Sequence, residues 1–520
     1  MKKLLTLVWR RGQWFLAFLG FFLVMSSWSV AAPFDGTMDD RAHIARAAGA
    51  AAGEFTGEES GWGLLQSVPA EYTADNCWIH DLAESAACAP PLRPGPKVRF
   101  SSTAGRYFPL YYMAVGWPLN TFGGWTGLYL ARMISAALSA AFLASAFVVL
   151  ARRSRFGLPL AGFLVAASPM VIELGGAINP NGLEMTAGIA LCAAGVALFL
   201  GPRRGADRPL IWLMGISAAT LSVLKVTGPL WVAVIMAVLL VPIRLDRLRE
   251  LLRTRLVRGW LAGLALAVAV SVWWTLYAGA TNIVPLSIEQ RFSVFQAAQV
   301  EMERWVYWDG GYLHQIVGLT SWLDTRMFEP AYPVWWGLAA GLIVPALAFG
   351  SRLDRWRLSA MIVGSVGLPF AIQVEQANTL GYVTQARYFM PMMAGIPLIA
   401  AFIMERHVLT AAQSRAYTRI AVVALVPIQF VALVFTMQRW QQGRPKHLGL
   451  SHLNPFAGDW HPRVGSLSPL LLMLVGLVVV GVLFWRASTR AATGPDELVP
   501  DAAPGRDHHD QRLAGSVTVS

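Results

Sequence analysis

Two adjacent carboxylates and an imidazole, Asp39, Asp40 and His43, follow directly on the first long apolar run of the chain. If the backbone turns helical after Met38, Asp39 and His43 stand four residues apart on one helix face. A carboxylate placed there could act as a general base, or Asp39 and Asp40 could hold a divalent cation, with His43 as a hydrogen-bonding partner. The same residues also spell a helix start, with Thr37 as N-cap and Asp40 closing a capping box three residues on. Asn179-Pro180-Asn181-Gly182-Leu183-Glu184 carries a similar ambiguity. Asn179, Asn181 and Glu184 could orient a hydroxyl or complete a cation site, while Asn181 followed by Glu184 also reads as a capping box. The stretch from Glu301 to Asp309 and the triplet Asp459-Trp460-His461 mix carboxylates with aromatic rings on which sugars can stack. Tryptophan is also enriched at membrane interfaces, and a chain with 21 of them is expected to place several there. No Gly-rich phosphate loop, His-Glu-x-x-His motif or cysteine cluster is present.

The elements that must position these residues are membrane helices. Of 520 residues, 55% are hydrophobic and 14% charged, more apolar sequence than a soluble core requires. The formal charge of +12 falls in short clusters between apolar stretches rather than on one amphipathic face, which excludes nucleic acid as the partner and marks topology instead. Segments long enough to cross about 30 Å of hydrocarbon begin near Trp14, Gly127, Gly157, Leu183, Leu210, Thr227, Gly259, Val334, Leu358, Phe389, Ile420 and Leu467. The expectation is an all-α polytopic integral membrane protein of about twelve transmembrane helices over residues 1–490, in the cytoplasmic membrane.

Orientation follows from the basic loops. Lys2, Lys3, Arg10 and Arg11, then Arg152 to Arg155, Arg203 to Arg208, Arg244 to Arg258, Arg352 to Arg357, Arg406 to Arg419, and Arg486 with Arg490 all fall on one side, predicting cytoplasmic N- and C-termini. Four long polar segments then lie outside: 33–108, 279–333, 373–387 and 438–466. Chemistry on that side has no access to cytoplasmic nucleotides, a constraint that lipid-linked substrates meet. The first helix imitates a signal peptide ending at Val30-Ala31-Ala32, but is read as uncleaved. Cys77 and Cys88 in the first outer loop are expected to pair as a disulfide, and Cys192 to pack inside a helix. Residues 491–520 are expected to form a disordered cytoplasmic tail, whose His508-His509 pair is not read as a metal site. Arg439, Arg444, Lys446 and Arg463 make the last outer loop unusually basic, pointing to an anionic partner. A transporter or flippase of a lipid-linked envelope precursor, with Glu173, Glu184, Lys225 and Glu375 along its path, is the alternative from another class. A non-catalytic envelope-assembly subunit is a third.

From Asp39 the run Asp-Asp-Arg-Ala-His-Ile-Ala-Arg-Ala resembles the P-D-E-P-A-H-x-x-R-A start of an actinobacterial multi-pass membrane family of unknown function. The resemblance continues through 104–112, 179–184, 318–325 and 380–391, and so over most of the chain. Met38, Asp40 and Arg41 stand where the family has proline, glutamate and proline, keeping the carboxylates but altering the turn. The resemblance implies an architecture similar to GT-C glycosyltransferases, which carry an acidic residue on the first outer loop and use polyprenyl-phosphate-linked sugar donors. On that reading Asp39 or Asp40 takes the proton of the acceptor hydroxyl, on an envelope glycan or lipid. Arg106 and Arg387, each beside a tyrosine (Tyr107, Tyr388), and more weakly Lys225, would meet the lipid phosphate, against the alternative that they snorkel to headgroups.

Overall fold

In the computed structural model the chain is described over residues 2–61, 63–201, 206–241, 245–280, 291–306, 310–444 and 453–490. The tail 491–520, Arg203 and Arg204, Arg244, Tyr307, Trp308 and Asp309, and Lys446 lie outside the described residues. The described chain is a helical membrane protein. Among the described residues eight helices are long and apolar enough to cross a bilayer. They are α1 (Lys2–Ala31, apolar from Gly12), α4 (Gly124–Arg153), α7 (Pro180–Gly195, continuing to Leu200), α10 (Arg255–Tyr277), α12 (Ala331–Phe349), α13 (Arg352–Gln376), α15 (Ala411–Gln442) and α16 (Leu467–Arg490). Two shorter apolar helices, α8 (Arg208–Leu224) and α9 (Gly228–Leu240), meet at Lys225.

Two further apolar stretches are broken. The stretch from Gly157 divides into α5 (Pro159–Ala166) and α6 (Pro169–Gly175), because Pro169 cannot continue the ladder. Ser168 Oγ donates to the Ile316 carbonyl there, at 2.6 Å. The stretch from Phe389 holds a single turn, Met390–Met393, before α14 (Gly395–His407). These breaks put backbone and polar side chains inside the bundle, where only protein partners can satisfy them.

Between α1 and α4 lie α2 (Asp40–Ala51), α3 (Pro109–Thr121) and a small antiparallel sheet of β1 (Glu59–Ser60), β2 (Gly63–Pro69) and β3 (Lys97–Ser102), a strand content that the all-helical reading lacks. Helix α2 has no broad polar face, because Ala45, Ala47, Ala48 and Ala50 are all buried. Gly116 of α3 admits it closely: a Cβ there would stand 2.1 Å from the Ala47 carbonyl oxygen. Cys77 and Cys88 form the expected disulfide, and Cys192 is buried in α7.

The four long polar segments meet at one end of the bundle. Trp322 Nε1 donates to the Asp35 carbonyl at 2.7 Å, and the Met38 amide donates to the Ser321 carbonyl at 3.1 Å. Arg106 reaches the carbonyls of Ala278 and Gly279, both at 3.2 Å. Arg439 holds the disulfide loop, donating to the Trp78 and Glu84 carbonyls and to Asp324. This corrects the reading of Arg439 as a charge awaiting an anionic partner, since its guanidinium is already spent on the fold.

Candidate active site

The site is assembled from the 35–39 turn, the start of α7, the α8–α9 junction and the 384–388 segment. Helix α2 does begin at Asp40, but not by the capping box that its letters allow. Asp39 occupies the N-cap position at φ 63° and makes no side-chain cap bond, and Thr37 Oγ1 has no hydrogen-bond partner. The left-handed backbone turns the Asp39 carboxylate away from its own helix and onto Arg387, with which it forms an ion pair. Among the described residues four non-glycines have positive φ: Asp35, Asp39, Ser321 and Leu323. All lie in the two turns that interlock here, and such conformations cost about 1–3 kcal/mol each.

The two adjacent carboxylates have opposite fates. Asp40 is 0% exposed and pairs with Arg132 of α4 at 2.7 Å, and Arg132 also donates to the carbonyls of Ser29, Ala32 and Pro33, tying down the end of α1. The Asp39 side chain keeps 37% of its surface exposed. Burial pushes the Asp39 carboxyl up, but the Arg387 guanidinium, its hydrogen bond and the further positive charge around it, Lys225 included, together hold the group below the usual carboxylate range. Burial raises Asp40 despite the opposing Arg132 charge.

Arg387 itself is buried, donates to the Met38 carbonyl at 3.1 Å and to Tyr388 Oη at 3.4 Å, and leaves its Nε–H without a partner. Lys225 also stands over Tyr388, 4.2 Å from the ring centroid. It donates to Asn181 Oδ1 and lies 3.9 Å from Glu184, whose two carboxylate oxygens accept no hydrogen bond. Helix α7 is capped by Asn179 rather than Asn181: Asn179 Oδ1 accepts from the Asn181 amide at 3.0 Å, with Pro180 at the first helical position. Asn179 Nδ2 reaches the Met38 carbonyl at 3.3 Å, so the α7 start and Arg387 grip the same peptide.

His43 closes the cluster from below. Its ring lies between Tyr107 and Tyr112, with centroids at 5.9 and 6.0 Å, and Nδ1 is 2.9 Å from Tyr112 Oη. Burial lowers the imidazole to about 3, so it is neutral. Asp35, which the sequence reading passed over, is fully buried and receives the Arg41 amide at 2.8 Å. Burial and the nearby Asp40 push it up to about 7.

Residues 21–396 match a family described as a predicted membrane protein, DUF2142. The chain belongs to the DUF2142 family. The matched span contains every residue of the cluster just described. No curated protein matches the chain. Among solved structures, ArnT from Cupriavidus metallidurans bound to undecaprenyl phosphate is similar at 14% identity and a TM-score of 0.40, covering 92% of this chain and 78% of that one. The same protein in the apo state gives 12% and 0.38, covering 89% and 75%.

Not every candidate in this DUF2142 chain converges. Arg106 turns away, pairing with Glu59 at 2.7 Å, although Tyr107 next to it lines the cluster. Arg106, Tyr107, Lys225 and Trp274 line a small open pocket beside the site. Of the four charges on a conceivable transport path only Glu184 and Lys225 meet, since Glu173 receives the Ser321 amide at 2.7 Å and Glu375 is exposed on α13. Among the described residues no three His, Cys, Asp or Glu side chains are placed to hold a metal ion, and Asp39 and Asp40 go to different arginines. Asp35, Arg132 and Tyr112 are the members missed in the sequence. Arg132 sits mid-helix in an apolar span, a signal that could have found it.

Proposed function

We propose that the protein is a glycosyltransferase of GT-C-like architecture that moves a sugar from a polyprenyl-phosphate donor to an envelope glycan or lipid at the extracytoplasmic face of the cytoplasmic membrane. The observation that carries this reading is the pairing of a half-exposed carboxylate, Asp39, with buried Arg387, next to Lys225. The Cys77–Cys88 bridge supports placing this face in an oxidising compartment.

The chemistry needs a base for the acceptor and positive charge for the leaving group. Arg387 and Lys225 supply the charge, and guanidinium matches phosphate oxygens two at a time. A phosphate that engages Arg387 weakens its hold on Asp39, so the carboxyl rises toward its ordinary range and becomes a better base as the donor binds. The acceptor oxygen then bonds to the anomeric carbon while the bond from that carbon to the phosphate oxygen breaks. Its electron pair stays on the departing polyprenyl phosphate, and the acceptor proton goes to Asp39. Asn181, held by Lys225, and Tyr107 and Tyr388 border the space where the sugar would lie.

The test is an envelope-glycan and lipid-linked-sugar profile of cells lacking the protein. Loss of one sugar linkage with accumulation of its polyprenyl-phosphate donor is the expected result. Unchanged glycans and donor pools would reject the reading in favour of transport or assembly.

A further inference from the structure

Helix α11 (Val294–Val306) presents three different faces. Ala297, Glu301 and Trp305 are buried against the protein, where Trp305 stacks on Phe389 at 5.2 Å. Gln296, Gln299 and Glu303 are exposed along a second face. Between them Phe295 (77% exposed), Met302 (54%) and Val306 (64%), with Ala298 half-buried, fall within about 80° of the helix circumference. A stripe of that width left outside a folded protein requires an apolar partner.

The site of α11 says which partner. Its Tyr382 and Arg304 contacts fix it against the C-terminal end of α13, a membrane-crossing helix: Tyr382 Oη donates to the Ala297 carbonyl at 3.3 Å, and Arg304 Nη2 to the Thr384 carbonyl at 2.6 Å. The preceding span, α10, ends with Trp273, Leu276 and Tyr277 all exposed, an aromatic girdle of the kind found where hydrocarbon meets headgroups. We infer that α11 is an interfacial helix that seats its Phe295–Met302–Val306 stripe in the bilayer at the loop-bearing end of the bundle. Its polar face stays in water and its third face grips the 382–389 segment. On the transferase reading above, this fixes Arg387 at headgroup height, where a lipid phosphate enters.

The test uses the full chain in nanodiscs, with single labelled variants Phe295→Cys, Met302→Cys and Val306→Cys on the stripe and Gln299→Cys and Glu303→Cys on the polar face. The native cysteines are bridged or buried, so labelling is specific. Quenching by spin-labelled lipid should be roughly twofold or more stronger at stripe positions, and quenching by aqueous iodide should show the reverse. Stripe probes that iodide reaches and lipid does not, or that neither reaches because a second copy or another protein covers them, overturn the inference. The readout requires no activity, so it stands or falls apart from the transferase reading.

Discussion

At residue scale, two neighbouring aspartates differ because each meets a different arginine. Asp40 and Arg132 are both enclosed, and removing one partner of such a pair leaves an uncompensated buried charge. Arg132→Ala is expected to cost about 3–5 kcal/mol, read as a loss of thermal stability and of membrane yield. Asp39→Asn takes the counter-ion from buried Arg387, but the chain should still fold, because the isosteric amide oxygen can accept from that guanidinium and the side chain makes no cap bond. Two other buried groups set the pH dependence with opposite signs. Asp35 is raised to about 7, so it contributes stability below its ordinary 3.8 that is lost as pH rises toward 7. His43 is lowered to about 3, so its contribution is present above 6.5 and is lost as pH falls toward 3. Asp35→Asn should therefore flatten the decline between pH 4 and 7 without altering the acid limb, measured as melting temperature against pH in detergent. A decline that persists in the variant would assign it to another group. Asp39, His43, Asn179, Asn181, Glu184, Lys225 and Arg387 could be read from the sequence as polar groups at helix ends. Which aspartate stays accessible could not, because it depends on Arg132, which lies 92 residues away from Asp40 in the chain.

At the scale of elements, the site rests on interlocked turns rather than on any one helix. The Leu319–Thr320 and Thr325–Arg326 strands pair as a hairpin whose tip carries Ser321 and Leu323 at positive φ. Ser321 receives Trp440 Nε1 at its hydroxyl, donates its amide to Glu173 and accepts the Met38 amide. Replacing Glu173 with alanine removes the acceptor for that amide. It should cost about 1–3 kcal/mol and increase hydrogen exchange at Met38 and Ser321 while leaving the α15–α16 pair protected. Uniform exchange throughout the bundle would show that Glu173 supports the core rather than the turn. The close contact of α2 with α3 gives a second test. Gly116→Ala would force a methyl into the Ala47 carbonyl and should destabilise the first loop by about 1–3 kcal/mol, seen as earlier proteolysis there. Periodicity and hydropathy mark all the long helices, and the cysteine spacing marks the bridge. The β1–β3 sheet escaped because β1 is only two residues long and the alternation of β3, Lys97-Val98-Arg99-Phe100, is too brief to stand out in a long polar segment.

At the scale of the whole molecule, four polar segments separated by membrane helices come together at one end, and that convergence gives the chain a site at all. The basic-loop pattern anticipates that they share a side. It cannot anticipate that two of the twelve expected helices are broken, since Pro169 and Met390–Met393 sit inside apolar stretches that hydropathy alone reads as continuous. The central claim is that this assembled end performs transfer with Asp39 as base. Its most direct test is to restore a strain lacking the protein with wild type, Asp39→Asn or Asp40→Asn at matched membrane levels, and to measure the lipid-linked donor pool and the envelope linkage. The account predicts that Asp39→Asn slows transfer by about 10²- to 10⁴-fold, so the donor accumulates although the protein is folded, while Asp40→Asn, at the same membrane level, restores the linkage. Full restoration by Asp39→Asn would contradict it.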